Sequence, residues 1–103
     1  MKTTSDNVRA VKMTKNLGNT GIKAGYTVFF DTMIKTGDGK LCAVKYRNVL
    51  SLMVVKEQKT GYLLTSWDEQ GAPVDFMADK TELEIIGRVI QANPPMIYPP
   101  FPM

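Results

Sequence analysis

The feature that most constrains the fold is a regular succession of short apolar runs, none holding a helical period for ten residues. Seven runs qualify as strands: 8-VRAVKM-13, 26-YTVFFD-31, 40-KLCAVKY-46, 49-VLSLMVVK-56, 61-GYLLTSW-67, 73-PVDFM-77 and 83-LEIIGRVIQ-91. Each is rich in Val, Ile, Tyr and Phe, side chains that suit a pleated, half-buried surface. Turn signals such as 36-TGDGK-40 and 69-EQGAP-73 separate them. The spacing predicts an all-β domain, a highly curved sheet or partly open barrel of about seven strands. The nearest approach to a helix is 78-ADKTELE-84, a single possible turn.

Alternation within the runs says which strands are covered. In 49-VLSLMVVK-56 one face carries Leu50, Leu52 and Val54 and the other Val49, Met53 and Val55, so this strand is expected to be central or covered on both faces. In 83-LEIIGRVIQ-91 one face is Leu83, Ile85, Gly87 and Val89; the other is Glu84, Ile86, Arg88 and Ile90. That second face mixes charge with large aliphatic groups. A surface covered by a partner has this character, and scattered exposed apolar groups are the plainer reading.

The ends differ from the middle. Residues 1–7 are polar and read as a frayed end or linker remnant, and residues 8–91 as the domain. Residues 92–103, ANPPMIYPPFPM, hold five of the six prolines and no charge. Each proline lacks an N–H, so this segment is expected to leave the sheet as an extended, polyproline-like arm. It could be a free end or a ligand for a proline-binding module. Packing on the domain or on a neighbouring subunit is favoured, because Met96, Ile97, Tyr98 and Phe101 are costly to leave in water.

Composition removes several kinds of chemistry. The chain has no histidine and one cysteine, so His triads, His-ligated metals and Cys-cluster zinc sites are excluded, and no metal or cofactor is expected. Cys42 lies in apolar LCAV and is expected to be a buried thiol; without an internal disulfide the chain suits a reducing cytoplasm. No run of eighteen apolar residues offers a membrane span. The net charge of +3 comes from scattered rather than clustered cations, which argues against direct nucleic-acid binding.

The stretch 15-KNLGNTGIKAGY-26 has the look of a phosphate loop, with glycines at 18, 21 and 25. It lacks the Gly-Lys-Ser/Thr step, and a strand follows it where a phosphate loop needs a helix. Turn formation is the better account. Asp31 with Asp38, or Asp75 with Asp79, could lie near one another, but nothing in their spacing makes an acid–base pair.

The segments 21-GIKAG-25, 26-YTVFF-30, 37-GDGKLCAV-44, 54-VVKEQ-58, 63-LLTS-66 and 85-IIGRV-89 follow one another in an order that resembles the C-terminal domain of LexA and lambda-type phage repressors. These have the S24 self-cleaving peptidase fold, which is similar to that of signal peptidase. The resemblance covers about residues 10 to 91. It implies a serine–lysine dyad in which a buried lysine is the base. Lys56 falls at the lysine position, while Asn16 stands where the serine would be, and Tyr26 where an aspartate is usual. An amide cannot be the nucleophile, so the dyad positions are expected to be relics and the chain not an enzyme.

What then remains of the family's role is assembly. The resemblance implies an oligomerisation domain of a phage transcriptional repressor, acting in lysogeny in the cytoplasm of a bacterial host. Its partners would be itself, as homodimer and higher oligomer, and operator DNA reached cooperatively through an N-terminal domain outside this chain. An antirepressor protein is a further possible partner. The expected interface is Glu84, Ile86, Arg88 and Ile90 with Ile97, Tyr98 and Phe101. Two alternatives stay open: a self-cleaving peptidase domain, and a small β-barrel binding single-stranded nucleic acid through Trp67, Tyr62 and nearby lysines.

Overall fold

The structure, a computed structural model, describes residues 7–95. Seven antiparallel strands form one sheet: β1 (Val8–Lys12), β2 (Thr27–Asp31), β3 (Lys40–Tyr46), β4 (Val49–Gln58), β5 (Gly61–Trp67), β6 (Pro73–Ala78) and β7 (Leu83–Asn93). Their order across the sheet is β1-β2-β7-β3-β4-β5-β6. The fold is all-β, as the run spacing predicts, and the sheet does not close into a barrel. Single 3-10 turns lie at Gly18–Thr20 and Lys80–Glu82, the second where one helical turn was expected.

Local sequence explains the hairpins. Arg47 and Asn48 have φ of 49° and 67°, so β3 and β4 are joined by a two-residue turn in the left-handed region. That turn matches the right-handed twist of the strands it connects. β7 runs to Asn93, two residues beyond the expected strand end, because Ala92 and Asn93 still pair with Val28 and Thr27. The sheet stops only where Pro94 and Pro95 remove the donors.

Each face of the sheet has its own core. One contains Cys42, Val44, Met53, Val55, Leu64 and Ile85, with Tyr46, Tyr62 and Phe76 packed against it. The other contains Val28, Phe30, Ala43, Leu52 and Trp67, sealed by Leu17 and Ile22. β4 supplies Met53 and Val55 to the first and Leu52 and Val54 to the second, so its two apolar faces are both used.

The sheet is coiled in two senses. Rings of Tyr46 on β3 and Phe76 on β6 are 5.5 Å apart. A flat sheet would separate those strands by about 14 Å. On the opposite face, Val11 and Met13 from the β1 end share a small cavity with Leu50 and Leu52 of β4, strands about 19 Å apart in a flat sheet. The molecule is thus S-shaped in section, one curl around each core. Bulges assist this coiling: the register shifts between Ala43 and Val44 opposite β7, and between Phe29 and Phe30 opposite β7.

Candidate functional site

The glycine loop is a plug. Leu17 and Ile22 bridge to each other, are 1% and 7% exposed, and press on the core around Trp67. Lys15 Nζ donates to the Trp67 carbonyl at 2.7 Å, and Trp67 Nε1 donates to Asn19 Oδ1 at 3.2 Å. Gly18 lies so close to the β5–β6 turn that a Cβ there would sit 1.9 Å from the Gly71 carbonyl oxygen. The loop's backbone is therefore committed to internal contacts.

The dyad positions are not brought together. Asn16 is exposed, and its Oδ1 accepts from the Ala24 N–H at 3.0 Å, holding the loop's own return. Lys56 is exposed on β4 opposite Leu63, four residues along β5 from the Trp67 anchor of the loop. That is about 13 Å of strand. This arrangement does not give Lys56 the buried environment that the dyad's base requires. Trp67, 3% exposed, has no free face for a nucleobase, and Lys80 Nζ lies 5.9 Å from the centre of the Tyr62 ring.

The expected interface strand has a different geometry from simple alternation. Ile86 is the extra residue at the first bulge and packs on the second core, with Glu84 opposite Lys45. After the bulge the parity flips. Arg88 lies opposite Cys42 on the other face, where its Nη2 reaches Thr36 Oγ1 at 3.0 Å and Asp38 Oδ2 at 3.5 Å. Ile90, the extra residue at the second bulge, is 50% exposed. The four residues therefore do not share one face. β3 pairs with β7 over Leu83–Arg88 and β2 over Arg88–Asn93, so each edge of β7 is taken along about half of the strand. Ile97, Tyr98 and Phe101 lie outside the described residues.

Cys42 is fully buried, as expected, with its Sγ 3.5 Å from the Lys40 carbonyl oxygen. Burial pushes its thiol pKa up, and the neighbouring Arg88 guanidinium pulls against that rise. At the opposite end of β3, Arg47 donates to Glu82 Oε2 through Nε at 3.0 Å and Nη2 at 2.8 Å. The Asp79 backbone N–H, bonded to Glu82 Oε1, and then this guanidinium hold the Glu82 carboxyl below its ordinary value. The clasp ties the β3–β4 turn to the Lys80–Glu82 turn; it is an exposed structural pair beside an open polar cleft of about 340 Å³.

Sequence reading missed a second group, the exposed apolar residues Val49 and Leu50 on β4 and Val74 and Met77 on the edge strand β6. Val49 and Leu50 look like core in the alternating pattern. They are 62% and 51% exposed because β5 pairs with β4 only from Val54 onward. No signal within the sequence shows it, because the fourth and fifth apolar runs differ in length by about one residue and read as full partners. No helix among the described residues is long and apolar enough to cross a membrane, and no group of three or more His, Cys, Asp or Glu among them could hold a metal. The chain matches no protein-family model, no curated protein and no solved structure.

Proposed function

We propose that this chain is a self-assembly domain, the oligomerisation module of a phage-type transcriptional repressor of the LexA/lambda class that does not cleave itself. The observation that carries the reading is the set of large apolar side chains left in water on a well-cored domain, Leu50 and Ile90 among them. Apolar area of this size is stabilised by covering it, and a second copy is the partner always present. Of the expected interface residues, Ile90 is the one offered to a partner by its exposure. Glu84 provides a charged rim, while Ile86 and Arg88 act from behind by holding the strand in shape. Linked to DNA-binding domains in the bacterial cytoplasm, paired copies would raise one another's effective concentration at neighbouring operators.

The test is the mass of the isolated domain by light scattering across the micromolar range. A dimer or larger species is expected, and Ile90→Asp should shift it toward monomer. A monomer throughout that range overturns the reading.

A further inference from the structure

Two backbone edges face each other across a gap in the second curl. Among the described residues β1 is the end strand of the sheet and pairs only with β2. The Val49–Met53 half of β4 pairs with β3 on one side, and on the other no backbone hydrogen bond joins it among the described residues. Adjoining cavities of about 120 and 230 Å³ lie between these edges, lined by Met13, Thr14, Leu50, Ser51 and Leu52 in common. A slot of mixed lining, Leu50 and Leu52 beside Thr14 and Ser51, between two edges left unpaired among the described residues is the place where an extended segment adds as a strand.

We infer that the slot receives residues Met96–Pro100 of a second copy's proline-rich tail, exchanged reciprocally about a two-fold axis. This rests on the self-assembly reading and names its contact. The stretch 1-MKTTSD-6 carries charge and joins β1 at its Val8 end, away from the Val11–Thr14 lining, whereas MIYPPFPM carries no charge and offers three consecutive N–H groups at Met96, Ile97 and Tyr98. The slot length, set by Val11–Thr14, is about 13 Å at strand rise and suits a segment of four or five residues.

Reach selects the neighbour over the chain's own tail. The chain leaves β7 at Asn93, across β2 from Lys12, with Pro95 beside Gly25. Its own slot lies beyond β1, three strand spacings away, or about 14 Å. Crossing that distance uses about five residues at polyproline rise, which consumes Met96–Pro100 before the slot is entered. The stiff Pro94-Pro95 pair also resists the turn back across β2 and β1 that such a path needs. A neighbour's slot can then be met by the three residues able to pair.

The experiment compares the full chain with a truncation after Pro95, which leaves every described core residue in place, and with the full-length variant Leu50→Asp, a change at a half-exposed site. Light scattering should show the full chain associated and both variants dissociated. A synthetic PPMIYPPFPM peptide should bind the truncated protein and bind truncated Leu50→Asp at least about tenfold more weakly, since the slot would then bury a carboxylate. Unchanged mass after truncation overturns the exchange while leaving self-assembly intact. A monomeric full chain whose truncation binds the peptide shows the tail in its own slot, and overturns both readings. Circular dichroism confirms that each variant is folded.

Discussion

Gly18 shows how single residues hold this fold. Its φ of 26° and its approach to the Gly71 carbonyl leave no space for a side chain. Gly18→Ala should lower stability by about 1–3 kcal/mol, measured by thermal or urea unfolding. Cys42 is the opposite case, a reactive group made inert. Burial lifts its pKa, so little thiolate exists at neutral pH, and a disulfide reagent should modify it only after unfolding. Rapid reaction of the native protein would show the first core to be open. Glu82 carries a pH dependence whose sign follows from its lowered pKa. The folded state holds this carboxylate more firmly deprotonated than the unfolded chain does, so its contribution is present above the ordinary glutamate range. It is lost as pH falls through that range to the depressed value. The stability difference between the native protein and Glu82→Gln should therefore be seen at neutral pH and shrink in acid. A gap that does not change with pH would mean the clasp does not depend on charge. Of these three roles, only that of Cys42 was legible in the sequence, from its apolar neighbours. Those of Gly18 and Glu82 depend on partners 53 and 35 positions away in the chain.

At the scale of elements, the Lys15–Gly25 loop does the work of a lid on the second core. Leu17→Ala removes its best-buried side chain and should cost about 2–5 kcal/mol. The only tryptophan reports the event, since Trp67 is bonded to Asn19 in the loop and its fluorescence should move to longer wavelength if the plug lifts. An unshifted spectrum with full stability would show the loop to be dispensable. The strands themselves were readable to within a residue or two, because each apolar run is short and bounded by turn chemistry. The face of β7 was not. Alternation assumes an unbroken pleat, and the bulges at Ile86 and Ile90 each insert a residue that resets the parity. A bulge is chosen by the strands opposite, which a single run does not contain.

The whole molecule is a sheet with two curls and two cores, and its assembly properties belong at this scale. If copies associate, unfolding is linked to association, and the melting temperature should rise with protein concentration. A constant value over a hundredfold range would argue for an independent monomer. The non-cleaving reading makes its own prediction. Alkaline incubation should give no specific product, with wild type and Lys56→Ala alike, because Lys56 is exposed and residue 16 is an amide. Specific cleavage lost in Lys56→Ala would instead restore the peptidase reading.

Run length, β-branched content and turn residues were enough, within the sequence alone, to determine an all-β domain, its seven strands and the buried thiol, since these depend on a residue and its near neighbours. Strand order, the reversal of curl and the exposure of Leu50 were decided only by the tertiary structure. β2 finds β7 more than fifty residues away, and β5 leaves half of β4 unpaired. Side chains that alternation assigns to a core therefore stand at the rim of a gap, because burial is a property of which strands meet.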